Sequence, residues 1–306
     1  MRLPPRKRFG QHFLRDDQVI DAIIRALSPQ PDDHLVEIGP GHGALTLPIL
    51  NLVSYLEIIE LDRDLVRQWQ DRQGQFPGLI IHQGDALEFD FALLKQDKRQ
   101  LRIFGNLPYN ISTPLIFHLL KSVSVISDML FMVQKEVAER LVSPPRNKTY
   151  GRLSVMVQYY CEMHRLLEVP PNAFFPPPKV ESSIIRLVPF KTQSYTANDL
   201  SLFTEVVRLA FNQRRKTLRN SLKRLVPDAL WDIFPVSPQS RAETLNVKDY
   251  VTMSNILCAH QIKVWSLGDS QASEREIIER FYAGIEKYCP TLVSWNGGDI
   301  DLPVLH

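Results

Sequence analysis

The sequence is poor in cysteine and contains no long apolar run, and each shortage excludes a class of protein. Its three cysteines, Cys161, Cys258 and Cys289, are an odd number and lie far apart. They match neither a disulfide framework nor a CxxC metal site, so a reducing cytoplasm is the expected setting. No apolar run approaches the ~18 residues that span a membrane, so no membrane partner is expected. The basic start of the chain is not followed by an apolar stretch, so no signal peptide is expected.

Net charge is also low, at +2, but the positive charge is unevenly distributed. Residues 208–224 contain seven basic side chains and no acidic one, whereas the chain beyond residue 260 is acidic in balance. Because neutralised phosphates release counterions, a basic cluster is suited to a polyanion such as a nucleic acid. A charge run can equally be the solvated face of a helix, and both interpretations stay open on charge alone.

Short β-branched runs alternate with amphipathic segments between residues 34 and 190. The expected strands are 34–38, 56–61, 79–83, 101–105, 128–133, 165–169 and 183–188, and helical spacing fits 16–27, 44–53, 64–74, 112–122, 135–143 and 151–161. This alternation predicts an α/β domain with a parallel sheet and helices on both faces. A proline-rich loop joins the last two strands and is too short for a crossover helix, so they should pair antiparallel.

The chain changes character after residue 190. Residues 199–212, 214–225 and 247–257 have helical patterns, with a further short helix near Ala229. These patterns predict a small all-helical second domain. We expect domain limits at 1–189 and 190–258, with residues 259–306 as a third segment.

A glycine-rich turn follows the first expected strand. Gly39 and Gly41 begin the segment GPGHG, and glycines there permit a tight turn and a close approach of backbone to a ligand. Glu60 ends the second strand about 20 residues later, where a carboxylate accepts hydrogen bonds from ribose hydroxyls. This pattern fits a dinucleotide as well as S-adenosylmethionine. Glu37 favours S-adenosylmethionine, because a pyrophosphate requires a helix N-terminus free of negative charge and a sulfonium cation does not.

Asp85 follows the third expected strand, in the segment HQGDAL. A carboxylate there can accept a hydrogen bond from an adenine amine. The alternative is that Asp85 caps a helix beginning at Ala86, which is a common role for aspartate.

The tetrapeptide NLPY (106–109) ends the fourth expected strand and indicates the chemistry. Adenine N6 is a weak nucleophile because its lone pair is delocalised, and two acceptors can draw it towards tetrahedral geometry. The Asn106 side-chain oxygen and the Leu107 carbonyl are the candidates, and Tyr109 offers a stacking face. Positioning and desolvation would then supply most of the rate. Phe174, in a proline-rich loop, is a second candidate stacking surface, the alternative being an aromatic that faces the core.

These segments together resemble the KsgA (RsmA) family of small-subunit ribosomal RNA adenine-N6 dimethyltransferases, with the Erm methyltransferases of large-subunit RNA as the next most similar group. The matching stretches are RKRFGQHFL (6–14), EIGPGHGALT (37–46), IELDRDL (59–65), QGDAL (83–87), GNLPYNIST (105–113), YGRLSVMVQYYC (150–161), FFPPPKVESS (174–183), FNQRRKTLRNSLK (211–223) and SRAETLNVKDYVTMSNIL (240–257). They cover the first 258 residues in order, which makes the resemblance specific.

The resemblance implies a Rossmann-like class I methyltransferase fold, with a seven-stranded, mostly parallel sheet and a helical C-terminal domain. It implies that S-adenosylmethionine is held by His12, Leu14, Gly39, Gly41, Glu60, Asp85 and Asn106. It also implies that Asn106 and Tyr109 position the amine opposite Phe174. The expected RNA-binding residues are Arg214, Arg215, Lys216, Arg219 and Lys223.

The implied reaction is dimethylation of two adjacent adenosines in the 3′-terminal hairpin loop of 16S ribosomal RNA. We expect a monomer that acts on a pre-30S particle in the cytoplasm, with no metal. The alternatives are an Erm-like methyltransferase of large-subunit RNA, an assembly factor of the same fold without turnover, and a nicotinamide-dependent oxidoreductase. Intact Glu60, Asp85 and NLPY favour an active enzyme.

Residues 259–306 resemble a different family. They are similar to one internal segment of the predicted 3′–5′ exonucleases related to the family-B polymerase exonuclease domain, which hold two metal ions with acidic residues from several motifs. Asp301 lies where the aspartate of the central motif would be, but the other acidic motifs are absent. We therefore expect neither a metal site nor nuclease activity here, and we interpret the segment as a fusion remnant, with an added docking segment as the alternative.

Overall fold

The computed structural model describes residue 6, residues 10–213 and 215–266, and residues 276 and 279. The chain separates into two compact units, Met1–Gln193 and Ser194–His306. Three predictions fall wholly or partly outside the described residues: Arg214, Asp301 and most of the exonuclease-like segment. No helix in the described part of the chain is long and apolar enough to span a bilayer.

The first unit contains nine short or medium strands within its described residues. They are β1 (Phe13–Leu14), β2 (His34–Ile38), β3 (Leu56–Glu60), β4 (Leu79–Gln83), β5 (Leu101–Asn106), β6 (Ile126–Gln134), β7 (Cys161–Val169), β8 (Phe174–Phe175) and β9 (Ser182–Pro189). Seven of them form one sheet in the order β4-β3-β2-β5-β6-β9-β7. Strands β2 to β6 are parallel, whereas β9 is antiparallel to both β6 and β7. The predicted α/β fold and the antiparallel last pair are confirmed.

Helices lie between these strands. They are α1 (Asp17–Leu27), α2 (Thr46–Leu50), α3 (Arg63–Gln73), α4 (Ser112–Leu119), α5 (Lys135–Val142) and α6 (Arg152–Tyr160). Helix α1 begins where the Asp16 carboxylate accepts the Val19 N–H, and it buries an apolar face. Helix α2 is shorter than the predicted 44–53, because the turns on either side of it occupy part of that range.

The central strands are buried on both faces. All five residues of β2 and of β3 are buried, including the charged Glu37 and Glu57. Such strands read as apolar runs because helices cover both sides of a parallel sheet. From β2 the chain proceeds outward to β3 and β4 and then returns to β5 on the other side of β2. Ligands bind at the carboxyl ends of the strands where the order reverses in this way.

Strands β1 and β8 form a separate antiparallel ribbon that the sequence did not predict. Leu14 pairs with Phe174, and Phe13 pairs with Phe175. Each strand has only two residues, so neither shows the alternation by which a strand is recognised in a sequence. The ribbon attaches the segment before α1 to the loop between β7 and β9.

The α-helices that the structure describes in the second unit are α7 (Leu200–Asn212), α8 (Leu218–Leu222) and α9 (Val247–Ser266). The short helix predicted near Ala229 is a 3₁₀ turn, Asp228–Leu230. Helix α8 is much shorter than the predicted 214–225, so that prediction is wrong in its limits. Before α8, the Lys216 N–H donates to the Gln213 carbonyl at 2.9 Å in a turn, and Thr217 then forms a bridge with Arg241. The Leu218 N–H donates to the Ser240 carbonyl at 2.8 Å. Helix α9 continues to Ser266, beyond the predicted end at residue 257.

Candidate functional site

A cavity of about 380 Å³ lies in the first unit at the carboxyl ends of β2, β3, β4 and β5. Its walls come from the loops after these strands and from residues 10–14. The predicted cofactor residues that line it are His12, Leu14, Gly39, Gly41, Glu60, Asp85 and Asn106. Leu107 and Tyr109 line it as well, whereas Phe174 is not among its lining residues.

The glycine-rich turn after β2 forms one wall. Gly39, Gly41 and Gly43 all have positive φ, at 70°, 55° and 90°, a backbone region that favours glycine. A Cβ added to Gly43 would lie 2.7 Å from the ring of Trp69, and the Trp69 Nε1–H donates to the Gly41 carbonyl at 3.0 Å. Trp69 on α3 therefore shapes the turn. Sequence reasoning missed this, because a tryptophan on an amphipathic helix indicates only core packing.

Glu60 lies at the end of β3 and is 6% exposed. Its Oε2 accepts the Gly41 N–H at 3.3 Å and its Oε1 accepts the Asp62 N–H at 2.9 Å. Burial raises the pKa of Glu60, while these backbone hydrogen bonds act to lower it. Each carboxylate oxygen can accept a second hydrogen bond, so the side chain is able to hold a vicinal diol.

Glu37 departs from the role that the sequence suggested. It is 2% exposed, and the Thr46 hydroxyl donates to its Oε2 at 2.6 Å. Burial raises the pKa of Glu37 to about 8, against the lowering effect of Thr46 and with a further increase from Glu60. The side chain is thus mostly a neutral acid at pH 7, and it does not by itself repel a pyrophosphate. A cationic ligand in the cavity would favour its ionised form.

Asp85 accepts the Leu87 N–H through Oδ1 at 2.9 Å. A turn at residues 86–88 follows it, so the alternative of a helix N-cap is wrong, although the same kind of local contact is present. Only one carboxylate oxygen takes part in this contact, so the other can accept a hydrogen bond from a ligand in the cavity.

Asn106 ends β5 and is oriented by a distant backbone group. Its Nδ2 donates to the His12 carbonyl at 2.9 Å. His12 is held in turn, because its Nδ1 lies 2.7 Å from the Pro176 carbonyl and must donate to it. With Nδ2 engaged, Oδ1 is the end of the amide that remains for a ligand.

The backbone of the NLPY motif is partly used by α4. The Pro108 carbonyl accepts the N–H groups of Ile111 and Ser112, both at 3.1 Å, and the Tyr109 carbonyl accepts the Ser112 hydroxyl at 3.2 Å. Neither of these hydrogen bonds uses the carbonyl of Leu107. This is the backbone acceptor that the sequence suggested, and it lies beside Asn106 in the chain.

Tyr109 is fixed by contacts on its ring and its hydroxyl. One face stacks on the His12 ring, with centroids 5.5 Å apart and planes 25° apart. Its hydroxyl lies 2.6 Å from the Ser182 hydroxyl, and burial raises its pKa. The ring is therefore held in place, with one face against His12 and its hydroxyl against Ser182.

The structure does not place Phe174 as a stacking surface at the cavity. This side chain is 4% exposed and belongs to the apolar core that includes Leu14, Ala173 and Ile184. It therefore faces the core, as the alternative interpretation held, and it could stack on a base only by leaving this packing. Its neighbour Phe175 is 43% exposed, and the Arg15 guanidinium lies 3.9 Å from the centroid of its ring.

The predicted RNA-binding residues that the structure describes are exposed side chains of the second unit: Arg215, Lys216, Arg219 and Lys223. They do not share one helical face, because α8 covers only five residues. Arg219 donates to Asp228 at 3.1 and 2.9 Å, so part of its charge is already offset.

Comparison with known proteins identifies the family. Residues 3–259 match the sequence model of a protein family described as ribosomal RNA adenine dimethylase. The chain belongs to this family. The membership confirms the predicted enzyme class, an S-adenosylmethionine-dependent adenine dimethyltransferase that acts on ribosomal RNA, and it favours that class over an oxidoreductase.

Similar proteins cover nearly the same part of the chain. The ribosomal RNA small subunit methyltransferase A of Chromohalobacter salexigens is 52% identical over 254 residues, which cover 82% of this chain and 90% of that protein. The protein of the same name from Vibrio vulnificus strain YJ016 is 51% identical over 255 residues, covering 83% and 95%.

Among solved structures, a dimethyladenosine transferase from Plasmodium falciparum is 26% identical, with a TM-score of 0.66 over 79% of this chain and 96% of that one. The 23S rRNA methyltransferase ErmE is 24% identical, with a TM-score of 0.60 over 80% and 99%. At that identity the second likeness shows the fold alone.

A second family model matches the end of the chain. Residues 244–306 are similar to the predicted 3′–5′ exonuclease related to the exonuclease domain of PolB. The predicted resemblance is confirmed, but the match begins inside the dimethylase region and not at residue 259. The two matches overlap at residues 244–259, which contain the first part of α9, a single helix that crosses the expected boundary.

Proposed function

We propose that this enzyme methylates N6 of two adjacent adenosines in the 3′-terminal hairpin loop of 16S ribosomal RNA, giving N6,N6-dimethyladenosine during maturation of the small subunit. Relatives named ribosomal RNA small subunit methyltransferase A support the choice of the small subunit over the large one. The observation that carries the chemistry is the hydrogen bond from Asn106 Nδ2 to the His12 carbonyl, because it reserves Oδ1 as an acceptor at the cavity wall.

The cavity fits S-adenosylmethionine in size and in chemistry. A volume of about 380 Å³ is within the usual range for a small-molecule site. Glu60 would accept the ribose hydroxyls, and Asp85 would accept the adenine amine. His12, Leu14, Gly39, Gly41 and Asn106 would complete the wall. When bound, the cofactor supplies an electrophilic methyl group on a sulfonium.

The residues around NLPY would prepare the target amine. Asn106 Oδ1 and the Leu107 carbonyl would accept its two hydrogens, which draws the nitrogen out of conjugation and directs its lone pair. Tyr109 would stack on the base through the face that His12 leaves open. No strong base is required, since the methylated nitrogen is acidic and loses its proton to water. After the first methyl transfer the nitrogen keeps a single N–H. One of the two acceptors is enough to orient it for the second transfer.

The second unit would contribute charge to RNA binding. Arg214, Arg215, Lys216, Arg219 and Lys223 would contact phosphates, and a loop adenosine would be splayed into the cavity of the first unit. We infer that the enzyme acts as a monomer on a pre-30S particle. A ribosomal substrate of this kind would be met in the cytoplasm.

Methyl transfer to isolated ribosomal subunits tests the proposal. Small and large subunits lacking N6-methylated adenosine are incubated with the full chain and radiolabelled S-adenosylmethionine, and the RNA is analysed by mass spectrometry. We expect dimethyladenosine at two adjacent positions of the small-subunit RNA only, and none with a Glu60→Ala variant. Label in the large-subunit RNA, or binding without any transfer, would overturn the proposal in favour of an Erm-like enzyme or an assembly factor.

A further inference from the structure

Arg6 makes ionic contacts with the segment that follows β3. Its Nη1 lies 2.8 Å from Asp62 Oδ1, and its Nη2 pairs with Asp64. Its backbone N–H donates to Gln11 Oε1 at 2.8 Å, and Gln11 lines the cavity. Gln11 Nε2 also lies 3.5 Å from Asp62 Oδ2. Arg6 and Gln11, both before α1, thus contact the same carboxylate, that of Asp62 after β3.

Asp62 connects Arg6 to the cavity carboxylate. Its side chain is 3% exposed, and its Oδ1 also accepts the Asp64 N–H at 3.1 Å at the start of α3. Its own backbone N–H donates to Glu60 Oε1 at 2.9 Å. The position of Asp62 therefore determines one of the hydrogen bonds that orient Glu60.

Arg6 also balances the charge at this point. Asp62 is buried next to Glu60, and a buried carboxylate is costly unless a cation accompanies it. The Arg6 guanidinium meets this requirement by direct contact. Arg67 differs, because its ion pair with Asp64 is longer, at 3.6 Å, and its side chain is 75% exposed.

We propose that Arg6 is a positioning residue for cofactor binding, holding Asp62 so that Glu60 and Gln11 are presented together to the cavity. This inference rests on the proposed function, in which Glu60 accepts the ribose hydroxyls. Without Arg6, Asp62 would repel the nearby Glu60 carboxylate and would lose a partner that fixes its side chain. Both changes weaken Glu60 as an acceptor, while Asn106 and Tyr109 keep their own contacts.

The test compares Arg6→Met, Arg6→Lys and Arg67→Met in the full chain. Cofactor Kd is measured by calorimetry, with KM and kcat for methyl transfer and the thermal midpoint of the unliganded protein. We expect Arg6→Met to raise the Kd and the cofactor KM roughly tenfold with kcat nearly unchanged. The thermal midpoint should fall as well, because the buried Asp62 carboxylate loses its cation. Arg6→Lys should restore part of the affinity, and Arg67→Met should behave as the wild type.

A double-mutant cycle with Asp62→Asn tests the mechanism of the effect. If Arg6 acts by neutralising Asp62, Arg6→Met should cost much less affinity in the Asp62→Asn background. The inference would be overturned if Arg6→Met bound the cofactor with wild-type affinity, or if Arg67→Met lost as much affinity as Arg6→Met. It would also be overturned if the effects of Arg6→Met and Asp62→Asn on the affinity were fully additive. A wild-type chain that binds no S-adenosylmethionine would instead refute the proposed function, so the two failures are distinguishable.

Discussion

The side-chain nitrogen of Asn106 lies 2.9 Å from the backbone oxygen of His12, and 94 residues of chain separate the two. A carbonyl oxygen can only accept, so this contact assigns Nδ2 to His12 and leaves Oδ1 for a ligand. His12 is held by the Pro176 carbonyl on its other side. The orientation of the Asn106 amide is therefore set by the protein before any ligand binds.

Replacing Asn106 with alanine should abolish one of the two acceptors for the target amine. We expect methyl transfer to fall by at least about 100-fold, comparable to the loss of one preorganised hydrogen-bonding group in other active sites. RNA binding should persist, because the basic residues of the second unit are unchanged. Asn51→Ala, at an exposed turn of the same unit, is the control and should be fully active. Normal transfer by Asn106→Ala would show that the amine is positioned otherwise.

Gly43→Ala should destabilise the glycine-rich turn. The new Cβ would lie 2.7 Å from the Trp69 ring at a residue with φ of 90°, so the ring or the turn must move. We expect the free energy of unfolding to fall by about 1–3 kcal/mol, as in other overpacked sites. Gly74→Ala is a matched control, since Gly74 has φ of −60° and no atom lies within 4 Å of its added Cβ. Urea unfolding of both variants checks this; equal effects would contradict it.

The raised pKa of Glu37 should make stability depend on pH. Its pKa is about 8 in the folded protein against 4.5 for an ordinary glutamate, so between these values the folded state retains a proton that the unfolded chain has released. The contribution of Glu37 is fully present below pH 4.5 and is lost as the pH rises towards 8. Glu37→Gln, whose amide oxygen can still accept from Thr46, should lose this dependence.

The measurement is urea unfolding of wild type and Glu37→Gln between pH 5 and 8.5. The stability advantage of Glu37→Gln over wild type should grow across that window. Glu88→Gln, at an exposed position, should show a constant difference from wild type. A constant difference for Glu37→Gln as well would mean that its carboxyl ionises in the ordinary range.

Alanine substitution of Arg215 and Lys216 should weaken RNA binding and reduce its dependence on salt. Each lost phosphate contact reduces the magnitude of the negative slope of log K against log salt by about 0.7–0.9. Arg219→Ala should have a smaller effect, because the Arg219 guanidinium already contacts Asp228 at 2.9 Å. Titrations with a hairpin RNA at several salt concentrations check this ordering. An unchanged slope in the double variant would remove these residues from the interface.

Much of the fold could be predicted from the sequence because its signals are local. β-branched runs determined the seven strands, and the short proline-rich loop determined the antiparallel last pair. Candidate residues such as Glu60 and Asn106 are recognisable because each ends a parallel strand, and the carboxyl ends of such strands meet at one edge. The β1–β8 ribbon was missed, and the limits of several elements, among them α2, α8, α9 and β7, were misjudged. For α8 the cause is the pairing of Thr217 with a distant residue, Arg241.

From the sequence alone it was possible to predict the strand pattern, the candidate side chains at the strand ends and the family. The groups that hold those side chains are visible only in the folded protein: His12 for Asn106, Trp69 for the glycine turn and Arg6 for Asp62. The tertiary structure also decided that Phe174 lies in the core. The physical reason is that these contacts join residues far apart in the chain through one or two side chains, without periodicity or motif, and only the folded sheet brings them within hydrogen-bonding distance.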